Sequence, residues 1–188
     1  MTYTLEEGWL REARRVPSPN RGPRPAGCEP DLLVIHNISL PPGCYGGDAV
    51  ERFFCNRLDW TEHPDDEDIR DTAVSAHRLI RRGGELVQFV DFTERAWHAG
   101  RSRYGERTDC NDFSIGIELE GTDEEPYTDD QYRVLTEVTR LLSRHYTGIA
   151  SGRIAGHCDI APGRKTDPGP AFDWARYLRL LRAEDSDI

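Results

Sequence analysis

The strongest constraint on the fold of this chain is the run of four apolar residues at 32–35, Leu-Leu-Val-Ile, which ends directly in His36. A strand that is apolar on both faces needs cover on both faces, so this run predicts a central strand in a layered domain. The preceding residues 17–30 contain five prolines and indicate an extended surface segment. His36 is therefore expected at the C-terminal end of a buried strand, where α/β sheets form their clefts.

The rest of the chain alternates strand and helix signals. A second strand is expected over 113–120, with Ser114, Gly116, Glu118 and Glu120 on its polar face. Further elements are expected as follows: a helix from about 49 to 58, a hairpin of 74–80 with 85–90, a capped helix after Thr128, a short strand at about 153–155 and a last helix from about Phe172. These elements predict an α/β (α+β) fold, a single domain with a mixed central β-sheet flanked by helices.

Length and charge limit the function classes. The chain has 188 residues, which fits one domain spanning 1–188 with its core at about 30–183. A net charge of −10 argues against nucleic acid or an anionic membrane as the partner. The N-terminus lacks the basic start and apolar core of a signal peptide, so a cytoplasmic location is expected. In that reducing compartment the five cysteines should be free thiols.

Two histidines are candidate metal ligands. His157 opens the segment 157–170, which is rich in proline and glycine and is expected to form a rigid loop without regular structure. His36, His157 and one carboxylate would give three protein ligands with an open fourth position, the pattern of catalytic zinc. Asp167 and Asp159 are both candidates for that carboxylate. Cys158 is less suited, because neighbouring side chains on an extended segment point in opposite directions.

A general base and a cationic group can also be identified. Glu118 shares its strand face with the small Ser114 and Gly116, which we expect to leave room for water and substrate. Glu120 lies on the same face and competes for this role. Lys165 is the only lysine in the chain, and its compact ammonium could approach a developing oxyanion where an arginine would present a wide planar fork.

Several sequence blocks match a known family. They are EEGWL at 6–10, ARRVPSPN at 13–20, VIHNISLPPG at 34–43, VSAHRLIRR at 74–82, AWHAG at 96–100, CNDFSIGIELEGTD at 110–123 and GHCDIAPGRKTDPGPAFDWAR at 156–176. The chain resembles the AmpD-type family of cytoplasmic 1,6-anhydro-N-acetylmuramyl-L-alanine amidases, within the zinc amidase and peptidoglycan-recognition protein superfamily. The resemblance covers nearly the whole chain.

This resemblance implies one Zn²⁺ per chain, held by His36, His157 and Asp167, with Glu118 and Lys165 as catalytic residues. It implies hydrolysis of the lactyl amide between anhydro-muramic acid and L-Ala, during peptidoglycan recycling. Removal of signalling muropeptides would then affect β-lactamase induction indirectly. The implied partner is a small soluble muropeptide, with no nucleic acid or membrane. The candidate substrate-binding residues are Asn37, His77, Trp97, His98 and Arg107.

The resemblance also leaves alternatives and departures. A non-catalytic muropeptide-binding protein, an envelope amidase acting on intact wall and a zinc hydrolase of some other amide are the competing hypotheses. Ala73 and the pair Thr108-Asp109 stand where the family often has arginine. Arg70, Arg103 and Arg107 are candidates to supply those charges instead.

Overall fold

A computed structural model describes residues 3–61, 69–149 and 152–183 of the chain. Within them the strands are β1 (Leu5–Glu6), β2 (Trp9–Leu10), β3 (Arg14–Arg15), β4 (Arg21–Pro23), β5 (Leu32–Ile38), β6 (Arg78–Ile80), β7 (Leu86–Gln88), β8 (Glu94–Ala96), β9 (Arg103–Tyr104), β10 (Arg107–Thr108), β11 (Ser114–Glu120) and β12 (Ile154–Gly156). The helices are α1 (Ala49–Phe54), α2 (Asp129–His145), α3 (His157–Ile160) and α4 (Trp174–Arg182).

The central sheet has six strands in the order β12-β5-β11-β6-β7-β3. The first four run parallel to one another, β7 is antiparallel to β6, and β3 is parallel to β7. The predicted mixed sheet is therefore confirmed, and so is the hairpin, now seen as β6 and β7. In the register of β5 and β11, His36 pairs with Glu118. Paired residues of neighbouring strands point to the same face, so these two side chains share one side of the sheet.

The two faces of the sheet have different cover. Ile35, Ile115 and Ile117 pack with α2 residues such as Leu135 in the largest core cluster. On the opposite face, Val34 belongs to a smaller cluster and His36 follows it on the same side. The run at 32–35 is fully buried, as its composition predicts. The polar groups of β5 and β11 are thus placed on the face away from α2.

The sequence signals for α2 act as expected. The Thr128 side chain accepts a hydrogen bond from the backbone N–H of Gln131, and the Gln131 side chain accepts one from the backbone N–H of Thr128. This capping box satisfies backbone donors that the first turn leaves unpaired. Gln131 also donates to the carbonyls of Ile80 and Glu120, which anchors the start of α2 to the sheet.

The helices differ from the sequence predictions at three points. Helix α1 ends at Phe54 because Asn56 adopts a left-handed φ of 56°, which a continuing helix does not permit. Helix α4 begins at Trp174, where the Asp173 side chain caps Arg176 N–H, rather than at Phe172. The segment after β12 is not all loop. Its first four residues form α3, since the proline that stops a helix comes only at Pro162.

Other expectations concern single residues and the membrane. The five cysteines are unpaired, in agreement with the expectation of free thiols. His63, expected at the surface in an acidic loop, lies outside the described residues. None of the helices in the described part of the chain has the length and apolar character needed to cross a bilayer.

Candidate metal centre and active-site cleft

Three side chains converge at the carboxyl edge of the sheet. His36 Nδ1 lies 3.0 Å from His157 Nδ1, and each nitrogen lies 3.1 Å from Oδ2 of Asp167. The two rings are 2% and 4% exposed. Among the described residues, His36, His157 and Asp167 are the group whose donor atoms lie close enough together to hold a metal ion.

The topology explains the convergence. β5 carries His36 near its C-terminal end. The adjacent parallel strand β12 pairs its Gly156 with Ile35, so the next residue, His157, arrives at the same edge. The backbone carbonyl of Asp167 accepts a hydrogen bond from Cys158 N–H at 2.9 Å, which returns the loop to α3. Residues 121 positions apart in sequence are therefore neighbours because two parallel strands are adjacent.

The rival carboxylate is engaged elsewhere. Asp159 accepts a hydrogen bond from the backbone N–H of Gly156 at 2.7 Å and does not join the convergent group. The Cys158 thiol is also outside that group. For Asp167, burial acts against ionisation, but the His157 and His36 rings hold its pKa well below the usual range. The geometry thus separates two carboxylates that spacing alone had left equal.

His98 lies behind His36. Its Nδ1 is 2.9 Å from His36 Nε2, and its Nε2 is 3.1 Å from Ser114 Oγ. A Cβ built on Gly116 would come within 2.5 Å of the His98 ring. The expectation that Ser114 and Gly116 leave room for water and substrate is therefore wrong. The imidazole ring of His98 occupies that space.

The two glutamates of β11 differ sharply. Glu120 accepts hydrogen bonds from Arg81 at 2.8 Å and from the backbone N–H groups of Gly46 and Arg82. Glu118 is 7% exposed, and its Oε2 has no hydrogen-bond partner among the described residues. Burial first, and the nearby Asp167 charge second, raise the pKa of Glu118 well above its usual value. Glu118 is the free carboxyl at this edge, and Glu120 is part of the scaffold.

A cleft of about 960 Å³ opens over these groups. Its polar wall includes Asn37, Lys165 and Arg164, and Trp97 lies on its apolar side with Phe53. Arg164 donates to the backbone carbonyls of Ala99 and Arg101. We did not single out Arg164 from the sequence, although it sits in the same block as Lys165.

Two candidate substrate-binding residues are not brought to the cleft. His77 is fully buried, accepts from Gly116 N–H and contacts the Glu94 carbonyl, which makes it a structural histidine. Arg107 pairs with Asp31 at 2.6 Å beside a separate pocket. A third candidate, His98, borders the cleft, but both its ring nitrogens already have partners.

The arginines considered as substitutes also lie elsewhere. Arg70 stacks over Trp60, and Arg103 belongs to β9, so neither is among the described residues that line the cleft. Among the described residues that line the cleft, the basic side chains other than histidine are Arg164 and Lys165. The charges missing at Ala73 and Thr108 are therefore not replaced from the positions we expected.

Comparison with known proteins identifies the family of the chain. The model of the N-acetylmuramoyl-L-alanine amidase family matches residues 26–170. The chain belongs to this family. The 1,6-anhydro-N-acetylmuramyl-L-alanine amidase AmpD of Escherichia coli K12 is 58% identical over 180 residues, which cover 96% of this chain and 98% of that protein.

Solved structures of the amidase family agree with the fold. A crystal structure of a selenomethionine AmpD derivative has a TM-score of 0.92 at 57% identity, covering 95% of this chain and 99% of that one. The structure of the Escherichia coli amidase AmiD was solved with anhydro-N-acetylmuramic acid-L-Ala-D-γ-Glu-L-Lys. It has a TM-score of 0.60 at 26% identity, and the match covers 95% of this chain and 65% of AmiD. The family resemblance inferred from the sequence blocks is confirmed.

Proposed function

We propose that this chain is a zinc-dependent amidase that hydrolyses the lactyl amide between 1,6-anhydro-N-acetylmuramic acid and L-Ala in peptidoglycan recycling. The observation that carries the proposal is the convergence of His36, His157 and Asp167 beside the buried Glu118. It occurs in a chain 58% identical to a protein named for this activity. A carboxyl group in a cleft next to a set of metal ligands is an arrangement that supports metal-assisted amide hydrolysis.

The donor set fits a zinc ion. Tetrahedral nitrogen and oxygen ligands at about 2.0–2.1 Å from zinc lie about 3.3 Å apart, close to the 3.0–3.1 Å between these donor atoms. Two imidazoles and one carboxylate with a cleft in front match the catalytic rather than the closed structural pattern. When bound, zinc would polarise the amide carbonyl and lower the pKa of water.

Glu118 and Lys165 would perform the remaining steps. The carboxylate of Glu118 takes a proton from the attacking water and delivers it to the departing nitrogen of L-Ala. Burial raises the pKa of Glu118, and a more basic carboxylate is a better proton acceptor. The exposed ammonium of Lys165, on the cleft wall, stabilises the negative charge that develops on the carbonyl oxygen.

The substrate is assigned as a small muropeptide in the cytoplasm. The relatives named for anhydro-muramyl substrates, including AmiD in its complex, support this class. A net charge of −10 disfavours nucleic acid, an anionic membrane and an anionic wall polymer. The charge disfavours the envelope amidase, and the filled positions His36, His157, Asp167, Glu118 and Lys165 disfavour a non-catalytic binding protein.

Turnover on two substrates tests the proposal. Zinc-loaded protein is incubated with soluble anhydro-muramyl tripeptide and, separately, with insoluble sacculi, and released peptide is measured by mass spectrometry. We expect release from the soluble substrate and far less from sacculi. Binding of the tripeptide without release would support the non-catalytic alternative, and equal turnover on sacculi would support the envelope amidase.

Metal content tests the ligand set separately. We expect one zinc per chain by elemental analysis, lost from His36→Ala and kept by Cys158→Ser. Full occupancy in His36→Ala would contradict the assignment, and loss of metal from Cys158→Ser would bring the thiol back as a ligand.

A further inference from the structure

The two imidazoles of the proposed metal site are backed by one loop. His36 Nε2 faces His98 Nδ1 at 2.9 Å, and His157 Nε2 faces the backbone carbonyl of Ala99 at 3.3 Å. Consecutive residues of one segment therefore contact the far nitrogen of both rings. Asn111 fixes that segment, because its Oδ1 accepts from the backbone N–H groups of His98 and Ala99 at 3.0 and 2.8 Å.

The Cys110 carbonyl fixes the direction of the hydrogen bonds that Ser114 and His98 make. The Ser114 hydroxyl donates to the Cys110 carbonyl at 2.5 Å, since a carbonyl can only accept. Ser114 Oγ then offers a lone pair to His98 Nε2 at 3.1 Å, so His98 must carry its proton on Nε2.

The protonation of His98 determines which nitrogen of His36 carries a proton. His98 is 8% exposed and has no carboxylate partner among the described residues, and a buried unpaired imidazolium would be costly. His98 is thus neutral, and its Nδ1 accepts a proton from His36 Nε2. His157 Nε2 likewise donates to the Ala99 carbonyl. Both ligand rings keep an unprotonated Nδ1 facing Asp167.

We propose that His98 and Ser114 are positioning residues that hold His36 in the Nε2–H tautomer, while the Ala99 carbonyl does the same for His157. This rests on the metal site of the proposed function. The relay runs from His36 through His98 and Ser114 to the Cys110 carbonyl. Two nitrogen lone pairs and a carboxylate oxygen then meet with no proton between them, an arrangement that a cation stabilises. The relay also depends on Gly116, because a side chain at that position would displace the His98 ring.

The tautomers can be observed without metal or substrate. Long-range ¹H–¹⁵N correlation spectra of the metal-free, ¹⁵N-histidine-labelled chain should show His36, His98 and His157 as Nε2–H tautomers. In Ser114→Ala, the His98 tautomer is no longer fixed, and His36 should become a mixture. Ser18→Ala is the matched control, because Ser18 is equally buried and also donates to a backbone carbonyl at 2.5 Å, outside this site. A wild-type His36 protonated on Nδ1 would overturn the proposal.

Zinc affinity gives a second readout. In competition with a chromophoric chelator, His98→Leu should weaken zinc binding by about 10–100-fold, the usual effect of removing the partner of a metal-bound histidine. His98→Asn can place an amide oxygen near the lost Nδ1 and should restore part of that affinity. Ser18→Ala should stay within about twofold of wild type.

The two proposals fail differently. If wild type binds zinc and His98→Leu binds it equally well, the relay is wrong and the metal site stands. If wild type binds no zinc while the three tautomers are as stated, the metal site is wrong and the relay stands. Should His98→Leu not fold, the wild-type tautomer spectrum still decides.

Discussion

Glu118 and Glu120 show how one residue's surroundings decide its chemistry. The two carboxyls are two positions apart on the same strand face, yet Arg81 and two backbone N–H groups bind Glu120 while Glu118 is left open to the cleft. From the sequence alone, both glutamates were candidates for the general base. The choice between them depends on partners from the turn after β6 and from the loop before α1, which no local pattern reveals.

Replacement of Glu118 should therefore strongly reduce turnover without loss of metal. Glu118→Gln keeps the shape of the side chain but cannot accept a proton, so kcat should fall by roughly 10²-fold or more. Zinc content, measured by elemental analysis, should match wild type because Glu118 is not in the ligand group. Near-normal turnover of Glu118→Gln would remove it from the mechanism.

The single lysine gives a sharper test. Lys165→Ala should lower kcat by about 10²-fold, through loss of oxyanion stabilisation. If the site needs a compact ammonium, Lys165→Arg should recover little of that loss although the charge is kept. A near wild-type rate for Lys165→Arg would reduce Lys165 to a generic positive charge. Arg164 keeps its contacts to the loop in both variants and supplies no substitute.

At the scale of elements, the packing of β11 depends on Gly116, which has no side chain. A Cβ at Gly116 would meet the His98 ring at 2.5 Å, closer than real Cβ contacts allow. Gly116→Ala should therefore destabilise the fold by about 1–3 kcal/mol in urea unfolding, as overpacked buried sites do. Gly22→Ala is the control, since nothing lies within 4 Å of a Cβ built there. Equal stability of the two variants would contradict the packing described.

The capping box of α2 makes a second prediction at this scale. Thr128→Ala removes the acceptor for Gln131 N–H and a donor to the Arg82 carbonyl, so stability should fall by about 1 kcal/mol. In a chain of this size that lowers Tm by about 2–4 °C. The exposed Thr147, substituted by Ala, should change stability by less than about 0.5 kcal/mol. An unchanged Tm in Thr128→Ala would show that the cap does not contribute.

Sequence patterns predicted the elements better than their edges. The apolar run at 32–35 and the alternation over 113–120 predicted two strands, because burial and period are local properties. That these strands are neighbours at the centre of the sheet is known only from the structure. Helix α3 was missed because one helical turn leaves no periodic signal. The occupation of the Gly116 face by His98 was also missed. It depends on how the loop after β8 folds back over the sheet, and that is a property of the tertiary structure.

For the molecule as a whole, a partly buried ionic network ties the sheet to α1. Glu51 binds Arg14 and Arg81 at 2.5 and 2.6 Å, and Arg81 continues to Glu120. The hydrogen bond from Arg14 is the main reason that the pKa of Glu51 lies below its usual value; burial opposes it, and Arg81 adds to it.

This network should make stability depend on acid. A carboxyl whose pKa is lower in the folded chain contributes stability above its unfolded pKa of about 4.3 and loses it as the pH falls further. Urea unfolding followed from pH 7 to 3 should therefore show a smaller loss of stability in Glu51→Gln than in wild type. Glu106→Gln, at an exposed site, should follow the wild-type curve. Parallel curves for Glu51→Gln and wild type would contradict the role of Glu51.

The central claim is cleavage of one particular amide bond, and isotope labelling tests it directly. Zinc-loaded protein is mixed with anhydro-muramyl tripeptide in H₂¹⁸O, and both products are weighed by mass spectrometry. Hydrolysis at the lactyl amide places one ¹⁸O on the carboxyl group of anhydro-muramic acid and none on the released tripeptide, and Glu118→Gln should form both products at least about 10²-fold more slowly. Label on a peptide fragment, or intact tripeptide substrate after long incubation, would contradict the account.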